Sequence, residues 1–320
     1  MKKKKIQTKK NAFIIILVLF GYLSITIATK NSSEVINEEI STSSYERKYN
    51  EKLNINIIKD DLEEIVKRNV EGYEDNVSVY YYNLDTGEEY SYNGDKYYVA
   101  ASTTKVPLSM LVFDDIYNGK YSLDTEIQYI DEDYEEGTGI LYYQDYIEPL
   151  TVEEAVYLSI VHSDNIAKNM LKRIASTSYY EYIGNIVEIN EEQKGNNYTA
   201  KELGQVLKKL YYNEEENPYY NKIIEYMKET EFHSRLDKYL PYDQVAHKIG
   251  SYYRYYHDMG IIYGRENYIL VVLTKDIGEL EKVPFGDENL DERNLLDYGE
   301  EAEELIANIS NEIYNLVENY

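Results

Sequence analysis

Hydrophobic positions along the chain change period four times. Between Asp61 and Val70, Leu62, Ile65, Val66 and Val70 recur at three- and four-residue intervals, which puts them on one face of a helix. From Val77 to Tyr82 the period falls to two: Val77, Val79 and Tyr81 alternate with Ser78, Tyr80 and Tyr82. The Asp85-Thr86-Gly87 turn then leads into Glu89 to Tyr92, so a β-hairpin is expected. Residues 106 to 113 are apolar nearly all round, as a central buried helix requires, and Pro107 lies in its first turn, where a missing N–H costs least. Thr151 with Glu154 and Thr199 with Glu202 fit capping boxes, which start helices near 152 and 200. Ile166, Met170, Leu171 and Ile174 mark a further helix directly after Asn165. Beyond Lys248 the period of two returns. Met259 to Tyr263, a Gly264-Arg265-Glu266-Asn267 turn and Tyr268 to Thr274 predict a second hairpin, and Glu300 to Val317 predicts a closing amphipathic helix. Strands at both ends with helices between them predict an α/β (α+β) fold: an antiparallel sheet built from both ends, with an all-helical lobe inserted.

The amino-terminal end follows another grammar. Lys2, Lys3, Lys4, Lys5, Lys9 and Lys10 precede an apolar run from Ala12 to Ala28, which predicts either an export signal or an uncleaved membrane anchor over residues 1–28. Residues 29–59 have few large apolar side chains and are expected to be a polar linker, leaving 60–320 as the folded domain. In that domain, 60–100 and 245–320 are assigned to the sheet lobe and 101–244 to the helical lobe. There is no cysteine, so neither a disulfide nor a lipid-bearing cysteine holds the domain. A net charge of -26 repels phosphate backbones and argues against a nucleic-acid partner. The 39 tyrosines and absent tryptophan fit a codon-biased genome better than a sugar-stacking surface.

Three short elements carry candidate chemistry: Ser102-Thr103-Thr104-Lys105, Ser163-Asp164-Asn165 and Lys248-Ile249-Gly250. A serine becomes a nucleophile when a base takes its proton, and a lysine one helical turn away presents its amine on the same face as the hydroxyl. Ser102 and Lys105 have that spacing. In this order and at these distances the three elements resemble the active-serine enzymes that recognise penicillin, and most closely the class A β-lactamases. The first hairpin, the approach Tyr97-Tyr98-Val99-Ala100-Ala101, and Ser234-Arg235-Leu236 with Leu240-Pro241 before the third element extend the resemblance over roughly 60 to 320.

That resemblance implies a β-lactamase/transpeptidase-like fold, with a five-stranded antiparallel sheet flanked by helices and a site in the cleft beside the helical lobe. It also implies roles. Ser102 attacks a lactam or peptide carbonyl, and Lys105, kept neutral by burial and by Lys248, takes its proton. Ser163 passes a proton to the departing nitrogen, and Asp164 ties its loop together. Asn165 holds the substrate amide, Lys248 with Gly250 receives the substrate carboxylate, and the N–H groups of Ser102 and Ser251 form the oxyanion hole.

Two departures stand out. Ile249 replaces the usual hydroxyl residue, and Arg254 or His257 is a candidate to compensate. The loop that bears the deacylating glutamate is about 20 residues short by the family's pattern; Glu188, Glu191 and Glu192 lie in the interval without the expected motif. The expected activity is therefore an exported serine hydrolase acting on β-lactams, with slow hydrolysis of its acyl-enzyme. A penicillin-binding D,D-peptidase on D-alanyl peptides and a non-catalytic binding module are the alternatives. A monomer is expected, touching the membrane only through its amino-terminal segment. His162, His233, His247 and His257 show no metal-binding spacing, so neither a metal nor a cofactor is expected.

Overall fold

The computed structural model describes residues 58–187, 195–284 and 298–319. The leader, nearly all of the linker, and Glu188, Glu191 and Glu192 lie outside them. Residues 59–320 make one compact unit.

The chain enters through α1 (residues 58–69), which buries Leu62 and Val66 and meets the last helix where Asn69 Nδ2 donates to Glu312 Oε1 at 3.0 Å. Strands β1 (Val77–Asn83) and β2 (Glu89–Tyr92) form the expected hairpin, and β3 (Tyr98–Val99) leads to helix α2 (Lys105–Tyr117). Short strands β4 (Glu126–Ile127) and β5 (Leu150–Thr151) pair ahead of α3 (Val152–Val161), α4 (Asn165–Ile174) and α5 (Tyr179–Val187). Strand β6 (Asn197–Tyr198), which pairs with β3, precedes α6 (Ala200–Tyr212) and α7 (Tyr220–Lys228). Long strands β7 (Val245–Tyr252), β8 (Tyr255–Ile262) and β9 (Tyr268–Lys275) and helix α8 (Glu300–Asn319) close the fold.

The sheet order is β2-β1-β9-β8-β7, antiparallel throughout, with Val77 opposite Thr274 and Lys248 opposite Met259. This is the predicted architecture: the first and last thirds of the chain zip together and the helices fill the insertion. Local signals placed the helix starts correctly. Both capping boxes form, with Thr151 accepting from the Glu154 N–H and Thr199 from that of Glu202.

Strand β1 differs from its alternating pattern. Ser78 and Tyr80 are as deeply buried as Val77 and Val79, because β1 is an interior strand between β2 and β9 and both of its faces are covered. Gly204 of α6 makes this possible; a Cβ there would stand 2.3 Å from the Tyr80 ring. One core spans both layers: Val106, Met110 and Phe113 of α2 belong to the same buried cluster as Met259, Ile261, Val271 and Leu273 of the sheet. The cleft between sheet and helices is thereby held by packing on both sides.

Candidate active site

Residues 101–104 form a 3-10 turn running into α2, and Ala101 enters it at φ 52°, in the left-handed region that a β-carbon disfavours. No side chain caps this turn or α2, so the Ser102 hydroxyl is not spent on the ordinary role of a serine at a helix start. It lies instead 3.1 Å from the Nζ of Lys105. Lys105 is the first residue of a helix apolar on nearly every side and is 1% exposed.

The second element reaches the same amine from α3 and α4. Ser163 adopts φ 50° just after α3. Asp164 fixes this sharp corner: its carboxylate accepts from the N–H groups of Ile140 (2.7 Å), Leu141 (2.9 Å) and Ala167 (2.9 Å). Gly139 leaves room for it, since a Cβ there would come within 2.2 Å of Oδ2. The corner sets Ser163 Oγ at 3.0 Å and Asn165 Oδ1 at 2.8 Å from Lys105 Nζ, and the Ser163 carbonyl accepts from the same amine. Asn165 uses one amide hydrogen on the carbonyl of Glu136 (2.9 Å) and keeps the other.

The third element is the central part of β7. Lys248 Nζ lies 3.0 Å from Ser163 Oγ, which thus bridges the two amines. Gly250 lets β7 lie against the turn that carries Ser102: a Cβ would meet the Ala100 carbonyl at 2.8 Å and Thr103 Cγ2 at 3.0 Å. We expect Gly250→Ala to push the strand away. Labelling by a fluorescent penicillin should slow by about 10- to 100-fold, and denaturant titration should show a loss of about 1–3 kcal/mol.

Proton bookkeeping around Lys105 says what this arrangement can do. Two of its oxygen neighbours, the Ser163 carbonyl and Asn165 Oδ1, only accept. With two hydrogens committed there, an amine in its neutral form has one lone pair left, which can receive the proton of Ser102 or that of Ser163 but not both at once. A path for one proton then runs from Ser102 through Lys105 to Ser163.

A cavity of about 440 Å³ opens on this group, lined by Ser102, Lys105, Asn165, Ser251, Tyr179 and Glu135, among others. Ser163 and Lys248 stand behind its wall, 1% and 0% exposed, with the Phe232 ring 5.7 Å from the Lys248 ammonium. Another cavity, of about 480 Å³ between α5 and α6, holds no comparable group.

The proposed compensators for Ile249 do not face the cavity. Strand β8 begins at Tyr255, four residues earlier than the pattern suggested, and takes His257 into the sheet. Its Nε2 donates to the Val99 carbonyl (2.9 Å) and its Nδ1 accepts from Thr274 N–H (3.1 Å), while burial holds the imidazole down to about 3. Arg254 turns to the Val283 carbonyl and Asp276. The guanidinium behind the third element is that of Arg235, 1% exposed, which donates to the Gly250 carbonyl (3.1 Å) and to Ser251 Oγ (2.6 Å).

Sequence reasoning also missed Glu135, hidden in the acidic run 131–136. Its carboxylate pairs with Lys168 (2.7 Å) and accepts from Asn169 Nδ2 (2.8 Å). Burial works to raise its carboxyl, but the charge of Lys168 and the hydrogen bonds from Lys168 and Asn169 outweigh that and hold it below the ordinary carboxylate range.

Residues 59–317 match the β-lactamase enzyme family. Among solved structures, a variant of PBP-A in an acyl-enzyme complex with penicillin G shares 22% identity at a TM-score of 0.66, over 81% of this chain and 97% of its own. A β-lactamase from Sphaerobacter thermophilus shares 20% (TM-score 0.64; 81% and 97%). One from Chitinophaga pinensis shares 22% (TM-score 0.65; 80% and 99%). At these identities the likeness is one of fold. No curated protein matches the sequence.

Proposed function

Because the chain belongs to the β-lactamase enzyme family, we propose that it is a serine hydrolase which opens β-lactam rings through an acyl-enzyme on Ser102 and releases the product slowly. The observation that carries this reading is the unbroken chain Ser102 Oγ, Lys105 Nζ, Ser163 Oγ, Lys248 Nζ, with steps of 3.1, 3.0 and 3.0 Å, beside a ligand-sized cavity.

Neutral Lys105 takes the Ser102 proton as Oγ attacks the lactam carbonyl. The resulting oxyanion is received by the N–H groups of Ser102 and Ser251, donors of a kind worth about 3 kcal/mol each. The C–N bond then breaks, and the ring nitrogen takes a proton from Ser163, which recovers one from Lys105. Lys248 favours this transfer electrostatically and draws the substrate carboxylate once Phe232 yields. Asn165 offers its remaining amide hydrogen to the substrate's side-chain carbonyl. Missing the hydroxyl at Ile249, the carboxylate is held more weakly, by roughly 1.5–3 kcal/mol.

Slow release follows from the water step. Glu135 is the carboxylate that the described residues place on the cavity wall, and its ion pair with Lys168 makes it a poor proton acceptor. The second reading, a peptidase acylated by D-alanyl peptides and inhibited by β-lactams, uses the same first half-reaction and is favoured by the same deficit. In either case the work is done outside the cytoplasmic membrane, where residues 1–28 would carry the domain.

Incubation of the protein with a fluorescent penicillin and, separately, a chromogenic cephalosporin tests this. We expect one covalent label per chain, persisting for many minutes, with little colour beyond the first turnover. Rapid sustained colour would overturn slow release, and the absence of both label and colour would overturn the acyl-serine reading itself.

A further inference from the structure

Successive side chains of a strand alternate faces, so His247 points away from the face on which its neighbour Lys248 meets Ser163. There it joins a second cluster that the acyl-transfer chemistry does not use. His247 Nδ1 lies 2.8 Å from Asp258 Oδ2 of β8, which also accepts the Leu236 N–H at 3.1 Å. Its other nitrogen, Nε2, lies 3.3 Å from Asp237 Oδ2, and that oxygen is also met by His233 Nδ1. Ligand atoms of His233, Asp237 and His247 all fall within 4.8 Å of one another. His247 and Asp258 are 0% exposed and Asp237 is 1% exposed, whereas a third of the His233 side chain reaches solvent.

Three buried polar atoms without a hydrogen-bond partner occur together here: His247 Nε2, Asp237 Oδ1 and Asp258 Oδ1. Nε2 stands 3.3 Å from Asp237 Oδ2, a long contact that leaves it without a hydrogen-bond partner. Buried polar groups are rarely left in that state, and three in one place call for a missing partner. One pair has the spacing that a zinc-class ion needs. Two ligand atoms at about 2.0–2.1 Å from a tetrahedral zinc are about 3.3 Å apart, which is the separation of Nε2 and Asp237 Oδ2; His233 Nδ1 sits closer to that oxygen and must draw back to share the same ion. The carboxylate of Asp258 on the far nitrogen of His247 is the outer partner that metal-bound histidines ordinarily have. The carboxylates of Asp237 and Asp258 together carry a charge that one divalent cation cancels.

We propose that His233, Asp237 and His247 bind a zinc-class divalent cation, with Asp258 orienting His247 and a water completing the tetrahedron on the open side of His233. This departs from the expectation of no metal, which rests on spacing along the chain, because the ligands come from a loop and a strand rather than from one helix. The role is structural. Arg235 lies between His233 and Asp237 and braces Gly250 and Ser251 from behind. A cation pinning both ends of that short segment to β7 would hold the third element against the nucleophile's turn.

The test uses the full-length, untagged chain after dialysis against chelator. Calorimetric titration with zinc should show one equivalent bound, with a rise in Tm, and cobalt(II) should give the visible bands of a tetrahedral N/O site. His233→Ala, at a position open enough to leave folding intact, should abolish the cobalt spectrum, and Asp258→Asn should weaken zinc by about 10- to 100-fold. His162→Ala, at the surface histidine paired with Glu231, should change neither. No heat, no Tm shift and no cobalt bands with the unaltered protein would leave a protonated His247 between two carboxylates as the whole of the cluster and end the proposal. Binding that survives both His233→Ala and Asp258→Asn would assign it to surface carboxylates and end it equally.

Discussion

Ser102→Ala will take no covalent label from a fluorescent penicillin, however long the incubation, and its thermal unfolding will match that of the parent to within about 1 kcal/mol. The first half follows from chemistry: the acyl bond forms at Oγ, and no rearrangement of the remaining groups supplies an equivalent atom. Ser163, the next hydroxyl on Lys105, is 1% exposed and sits behind the cavity wall. The second half follows from the hydrogen-bond inventory. Among the described residues Ser102 Oγ makes one hydrogen bond, to Lys105 Nζ, an amine that keeps Ser163 and Asn165 as partners. Deleting the hydroxyl therefore leaves no buried group unsatisfied. Gel fluorescence and intact-protein mass spectrometry read the label, and a melting curve reads the stability. A label that survives the substitution would move the nucleophile elsewhere.

How far the sequence revealed this site depends on the range of each contact. The capping boxes at Thr151 and Thr199 are settled within a few residues, so the pattern alone located the starts of α3 and α6, whereas the Asp164 corner also draws on the N–H groups of Ile140 and Leu141, 24 and 23 residues earlier. The order of the three motifs singled out Ser102 as the candidate nucleophile, although each motif is short. What could not be read are contacts made across the fold. Arg235 served only as a landmark on the approach to β7, because nothing in Ser234-Arg235-Leu236 says that its guanidinium will lie under Gly250. Glu135 looked like one more acid in an acid-rich chain until α4 brought Lys168 and Asn169 to it. His257 and Arg254 were misassigned for a related reason: periodicity began β8 at Met259, whereas pairing with β7 begins it at Tyr255. That extension buries the histidine and leaves the arginine at the hairpin end, beside Asp276.

Lys105→Ala is expected to lower the rate of acylation by about 10²–10⁴, the usual worth of a positioned general base, without abolishing it, because Ser102 and its neighbouring main chain remain. Unlike Ser102→Ala it should also weaken the fold. The Ser163 carbonyl retains Thr138 Oγ1 at 2.8 Å and the Ser163 hydroxyl retains Lys248, but Asn165 Oδ1 loses the amine that donates to it. An acceptor stranded in this way costs about 1–3 kcal/mol, and the vacated methylenes at the start of α2 add a packing loss. Opposing these is the relief of no longer desolvating an amine, so the net should remain at the lower end of their sum. Lys105→Met separates the two roles: it refills the space left by the methylenes and should recover part of the stability while acylation stays as slow as in the alanine variant. Labelling rates at several penicillin concentrations, set beside urea unfolding of the same three proteins, measure both. If the methionine variant were acylated within tenfold of the parent, the amine at 105 would be scaffolding, and the base would have to be sought among the other groups on the cavity wall.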